Sequence, residues 1–260
     1  MITLYLEAPF AASRTFTAGW YRPTAGFITP SAAYGLLLNI AGIESRLREE
    51  DESHDGSAPA SLIRAGLPSV ELAIGVPAAQ SLEDRFPKVQ SIYQQLHNYP
   101  VGASGKERAA SCRGNKYNIT PVRREFLSDV KAIITIRGDS EFESRIRRGL
   151  QGEFNAGRYG IPFLGDNACL LDRLHEIQEP LSVQWFEKIN ADEGGTRDNT
   201  TRLTIQIDRG DLSKTRSELF APGDESLSHE PPANAWVRIE SIAAHTLSRQ
   251  KSRAGKESAK

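Results

Sequence analysis

The residues best suited to chemistry in this chain are arginines and lysines set beside aromatic rings. Between positions 102 and 124 stand Lys106, Arg108, Arg113, Lys116, Arg123 and Arg124, with Glu107 the lone acid, so six positive charges face one negative. Gly102, Gly105, Gly114, Ser104 and Ser111 loosen the stretch, and Tyr117 and Asn118 lie among its charges. Such a segment repels itself and is better placed along a polyanion than folded alone. The plain alternative is a solvated loop. A second group, Arg14 with Trp20-Tyr21-Arg22, joins guanidinium to flat rings that can stack on bases and hold phosphate, or that plug the edge of a core.

Two further stretches have the composition of a ligand cradle. Around Arg158, Tyr159 and Asn167 the chain carries Gly157, Gly160 and Gly165 with Pro162 and no regular period. Glycines let a backbone approach a ligand, and N–H groups in such turns bind anions. No Gly-Lys-Ser/Thr follows, so this is not a Walker loop, and the spacing is not that of a Rossmann fingerprint. At 23–42 a loop turns directly into a helix. Thr29 or Ser31 can cap it, Pro30 suits its first turn, Ala33, Leu36, Leu37 and Ile40 give one buried face, and Gly42 suits its end. Its first N–H groups can hold a phosphate; a plain core helix is the alternative. Gly35 lies inside it and predicts close approach of something bulky.

The bulk properties set limits. With 260 residues, 39% hydrophobic and 25% charged, the chain reads as an ordinary soluble protein of one large or two small domains. The net charge of −1 does not mark a nucleic-acid binder; the segregation of charge does. No apolar run approaches the ~20 residues of a membrane helix, and no basic leader precedes Ile2, so neither membrane nor signal peptide is expected. Cys112 and Cys169 stand far apart with no histidine cluster, so no metal or other cofactor is expected, and isolated thiols suit a reducing cytoplasm.

The elements that must position these groups follow from periodicity. Residues 2–7 alternate as a half-buried strand, and 70–76 are the cleanest strand. Residues 46–66 read as a polar surface loop. Residues 81–101 fit a helix and a strand about equally. Residues 132–137 are a β-branched strand, followed by a helix capped by Asp139 or Ser140. Ser140 and Glu143 predict a capping box, Glu143 and Arg147 an ion pair, and Phe142, Ile146, Leu150 and Phe154 a buried stripe, with Arg145, Arg147 and Arg148 on the exposed side. Further strands are predicted at 203–207 and 236–242, polar loops at 189–200 and 221–234, and a basic disordered tail at 248–260. Strand, helix, strand, uncertain element, strand, helix, with one more strand, makes a split βαβ unit of ferredoxin-like type. The fold class is therefore α+β.

With these motifs in place, the sequence resembles the fifth Cas family, the CRISPR-associated RAMP subunit of type I Cascade complexes. The resemblance rests on the opening strand with Pro9 and Arg14, on Phe27–Gly42, Gln95–Pro100, Pro121–Leu127 and Arg158–Asn167, and spans residues 1–170. Its motifs are nearest to type I-B-like or myxobacterial-type systems, transposon-associated ones included. It implies a ferredoxin-like (RRM-like) palm over 1–170 with a thumb hairpin inserted at about 98–124, then a β-rich extension over 171–247. It implies a subunit that binds the five-prime handle of the crRNA and touches the large subunit, the first backbone subunit and, indirectly, target DNA. Laid over the residues above, the implied RNA contacts are Arg14, Trp20, Tyr21, Arg22, Thr29, Ser31, Tyr34, Lys106, Arg108, Arg113, Lys116, Tyr117, Arg123, Arg124, Arg158, Tyr159, Gly160 and Gly165. In one subtype the family member cuts precursor RNA without metal, using Tyr, Lys and His. Tyr93, His97, Tyr99 and Lys116 offer those types, but the adjacent Lys-His pair of that subtype is absent, so a non-catalytic subunit is expected and an endoribonuclease is the alternative.

Overall fold

A computed structural model of the chain describes residues 1–15, 20–47, 63–78, 85–97, 119–189, 197–209, 211–223 and 230–241. It is an α+β fold with a large, mainly antiparallel sheet and, among the described residues, two α-helices. Strand β1 (Ile2–Ala11) extends beyond the six residues predicted, with Ile2, Leu4, Leu6 and Ala8 buried. After the two-residue β2 (Tyr21–Arg22) comes α1 (Pro30–Ile40), then β3 (Val70–Pro77), β4 (Lys88–His97), β5 (Ile119–Arg137) and α2 (Ser140–Leu150). The remaining strands are β6 (Arg173–Glu176), β7 (Val183–Lys188), β8 (Thr201–Gln206), β9 (Arg216–Pro222) and β10 (Val237–Ile239).

The sheet runs β6-β1-β5-β3-β7-β9-β8. In its first four strands every neighbour is antiparallel, α1 connects β1 to β3, and α2 connects β5 to β6. The main core lies on the helix side of this sheet, where Leu4, Leu6, Leu72, Ile74, Ile134 and Ile136 meet Leu37, Phe142 and Ile146. A smaller cluster on the other face joins Ala73 and Ile133 to Val183, Trp185 and Trp236. Burial on both faces explains why residues 132–136 are mostly β-branched and apolar rather than strictly alternating with polar residues. The C-terminal strands return to α1: Leu203 and Ile205 of β8 belong to the same core, and the Phe27 and Phe186 rings stack at 4.4 Å.

Local chemistry sets the helix ends. Thr29 is the cap of α1, its Oγ1 accepting the Ala32 N–H at 3.2 Å. Gly42, at φ +66°, ends the helix, with Ile43 N–H donating to Leu38 O and Gly42 N–H to Asn39 O, the paired bonds of a Schellman turn. The close approach expected at Gly35 is absent among the described residues: nothing lies within 4 Å of where its Cβ would be. Asp139 caps α2, accepting the Phe142 N–H at 2.9 Å. The predicted capping box and ion pair do not form. Glu143 is buried and takes the Met1 amino group at 2.6 Å, while Arg147 turns to Glu176 at 3.0 Å. Phe154 lies past the helix end, under Gly42 and within cation–π reach of Arg145 and Arg148.

The largest departures lie in β4 and β5. The ambiguous 81–101 segment resolves as a strand over Lys88–His97, and 119–124, expected as a flexible excursion, are the first residues of β5. Their register runs unbroken from Lys88↔Ser128 to His97↔Ile119. Two strands that each look equivocal alone stabilise one another through their ladder. Asp129, at φ +55°, lies just past Ser128, the last residue of β5 paired with β4, while on its other edge β5 is already paired with β1 at Leu127 and Ser128. β7 and β9 were not predicted, and β9 claims 221–222 from the expected polar loop. The tail at 248–260, most of the 46–66 loop, and Tyr99 lie outside the described residues.

Candidate nucleic-acid interface

Among the described residues β4 pairs with no strand but β5, so the ladder forms an arm, and Arg14, Arg22, Arg123 and Arg124 lie at its base. β2 adds a short parallel pairing to the other edge of β5, placing Tyr21 beside Arg123 and Arg22 beside Arg124. The Arg123 N–H donates to Trp20 O at 2.7 Å, and the Arg123 guanidinium lies 5.5 Å from the Tyr21 ring centre. The Tyr21 hydroxyl donates to Glu125, which raises it above its ordinary value, and Glu125 also accepts the Thr24 N–H at 3.3 Å. Tyr93 stands opposite Arg123 and is 76% exposed; Trp20, Val89 and Ile92 are exposed as well. Cross-strand neighbours share a face, so Tyr93 and Arg123 present a ring and a cation together.

Behind this surface, Arg14, just past β1, and Arg124 both donate to Asp166. Arg124 also donates to Gln94 Oε1 at 2.7 Å. Burial favours the neutral form of the Asp166 carboxyl, but the Ala168 N–H and the two guanidinium groups outweigh it and hold the group below the usual carboxylate range. Thus Arg14, Tyr21, Arg22, Arg123 and Arg124, distant in sequence, come to the edge where β2 meets β5, with Arg123, Tyr21 and Tyr93 on one face of β5 and Arg124 with Arg14 and Asp166 on the other.

The glycine-containing stretch lies beside α1. Asn39 Nδ2 donates to Gly160 O at 3.2 Å, and Arg46 stacks 3.3 Å from the centre of the exposed Tyr159 ring. Asn39, Arg46 and Tyr159, with Gly35, Leu36, Phe163 and Gly165, line a cavity of about 370 Å³. Arg158 is differently employed: its guanidinium donates to Gly149 O at 2.7 Å and Ile40 O at 3.4 Å, closing the ends of both helices. Burial lowers it from its ordinary value. Gly165, at φ +74°, packs on the Ala12 carbonyl, so its freedom serves the backbone.

At the helix start the polar side chains already have partners within the fold. Thr29 and Pro30 are buried, and Thr29 uses its hydroxyl on the cap and on Ser31 at 3.0 Å. Tyr34 is buried against Phe142 and donates to Pro68 O at 2.6 Å; burial raises its hydroxyl well above the ordinary phenol value. Thr29 and Tyr34 are therefore core residues, and Ser31 is half-buried beside them. Lys106, Arg108, Arg113, Lys116 and Tyr117 lie outside the described residues, as does the side chain of His97. Sequence reasoning missed Asp166, Glu125 and Arg46. Asp166 stood within a motif already singled out, but a carboxylate carries no signal for a polyanion site until its arginines are seen. Among the described residues no cluster of His, Cys, Asp and Glu is arranged to hold a metal ion, and no helix is long and apolar enough to cross a membrane.

Comparison with known proteins gives the family and a similar fold. Residues 1–170 match the family described as "CRISPR-associated protein (Cas_Cas5)", and the chain belongs to that family. A solved structure described as "CRISPR RNA-guided surveillance complex" is similar in fold, with a TM-score of 0.50 and 15% identity over 85% of this chain and 88% of that one. Another, "Crystal structure of Cas protein", aligns over 89% of this chain and 99% of its own at 14% identity and a TM-score of 0.42. No curated protein matches.

Proposed function

We propose that this chain is a non-catalytic RNA-binding subunit of a type I CRISPR Cascade effector. It grips the five-prime handle of the crRNA, bridges to the large subunit and the first backbone subunit, meets target DNA only indirectly, and works in the cytoplasm. The strand order β6-β1-β5-β3, with α1 and α2 as its connections, supports reading a ferredoxin-like palm that runs on past residue 170 to the end of β6 at Glu176. The β4–β5 ladder is read as the stem of the thumb, beginning at Lys88 rather than near 98, with the basic segment 98–118 at its end.

The observation that carries the proposal is the flanking of β5 by cations on both faces at the base of the arm: Arg123 beside the exposed Tyr21 and Tyr93 on one, Arg124 with Arg14 on the other, with Arg22 and the exposed Trp20 along the same edge. Cations supply phosphate affinity, and exposed rings accept the faces of unstacked bases. The glycine stretch and its cavity, with Tyr159 and Gly160, form the second wall of the handle site.

The test is binding of labelled single-stranded handle RNA over a salt series, with EDTA present. Each phosphate contact to a single strand contributes about 0.7 to the slope of log affinity against log salt. Arg14→Ala with Arg123→Ala therefore weakens binding and flattens the slope by about 1.4. Equal slopes for the double variant and the unaltered protein contradict the proposal. Conversion of the RNA to one defined product in the same EDTA incubations favours the endoribonuclease alternative, with Tyr93, His97, Tyr99 and Lys116 as its residues.

A further inference from the structure

Asp166 belongs to none of the expected contacts, yet three parts of the chain meet on it. Arg14 arrives from the end of β1, Arg124 from β5, and the carboxylate from the glycine-containing loop. Both guanidinium groups donate to Oδ2, and Oδ1 accepts the Ala168 N–H at 3.1 Å. The other arm of Arg124 reaches Gln94 on β4, so the network runs from β1 through the loop to both strands of the arm. Exposure falls inward: the Arg14 side chain is 46% exposed, Arg124 19% and Asp166 12%. A carboxylate so enclosed and so occupied cannot swing away without leaving a buried charge unpaired. Arg14 keeps much of its surface in solvent, and its guanidinium has donors beyond the one Asp166 takes. Without the carboxylate, the two guanidinium groups would repel one another and separate.

We propose that Asp166 is a positioning residue that locks the glycine-containing loop to the arm and holds Arg14 and Arg124 side by side as a fixed phosphate-binding pair for single-stranded RNA. This rests on the RNA-binding reading above. The sign of its effect is diagnostic. Neutralising a carboxylate makes the protein more positive, which by overall electrostatics tightens RNA binding and steepens its salt dependence. Were Asp166 a stand-in for phosphate that competes with RNA, its removal would also tighten binding. Positioning predicts the reverse.

The experiment measures RNA affinity over a salt series for the full chain, Asp166→Asn, Arg14→Gln and the Arg14→Gln/Asp166→Asn double variant, with thermal melts alongside. Asp166→Asn is expected to bind about fivefold more weakly with a shallower slope, and the same change in the Arg14→Gln background to cost less than about twofold, because coupled residues are not additive. Equal or tighter binding by Asp166→Asn overturns the inference, as does an equal loss in both backgrounds. If Asp166→Asn does not fold, Arg124→Lys replaces it: the charge stays but the forked contact to Asp166 and Gln94 is lost. About a threefold loss is then expected, and unchanged affinity overturns the inference. Absence of any salt-dependent RNA binding by the unaltered chain would instead remove the functional reading itself, and this inference with it.

Discussion

An added methyl at Gly165 would lie 2.0 Å from the carbonyl oxygen of Ala12, on a backbone already at φ +74°. Both the clash and the left-handed conformation oppose any side chain there, so Gly165→Ala should destabilise the protein by about 2–4 kcal/mol, read from urea unfolding. Gly160 is the useful contrast: its φ is +139° but nothing lies within 4 Å of its Cβ, so Gly160→Ala should cost less. At this scale the sequence was a partial guide. It picked out Arg14, Tyr21, Arg22, Arg123 and Arg124 because cation and ring types are unusual in such density. It could not separate them from Thr29, Tyr34 and Arg158, whose types are equally suited to phosphate but whose polar groups are spent on Ala32, Pro68 and the helix ends. Burial is decided by tertiary packing, which residue type does not encode.

The two helices cross at Gly149, where a Cβ would stand 1.9 Å from Ile40 O. Their backbones are in contact, and the carbonyls exposed at the end of α1 are taken by Arg145, which donates to Ala41 O at 2.8 Å, and by Arg158. Cations at a helix C-terminus also complement its dipole. Gly149→Ala should therefore cost about 3 kcal/mol or more and lower the melting temperature, because backbone cannot yield as a side-chain tip does. Helix α1 was readable from its caps and apolar spacing. The glycine that matters for helix packing was not: Gly35, inside α1, faces open space, while Gly149, near the end of α2, is the contact. The arm was hidden for a related reason. Val89, Ile92, Tyr93 and Leu96 satisfy helical and extended spacing alike, and only pairing with β5 decides between them.

For the whole molecule, β1, α1, β3 and the 132–137 part of β5 were visible in the residue patterns, whereas β4 was ambiguous and β2 and β6 carried no signal; β6 completes the antiparallel run β6-β1-β5-β3. The C-terminal strands were half visible. β8 alternates cleanly, whereas the first half of β9 is polar and partly exposed, and β7 is buried through its first four residues. What no local pattern conveys is the convergence of Arg14, Arg124 and Asp166, since it depends on the end of β1 and the glycine-containing loop meeting β5. The central claim is that the base of the arm holds the leader of a guide RNA. The most direct test places photoreactive nucleotides in the five-prime handle of the crRNA within the assembled complex and locates the crosslinked peptides by mass spectrometry. The account predicts adducts on peptides containing Trp20, Tyr21 and Arg123; adducts confined to β8–β10, with none at the base of the arm, would contradict it.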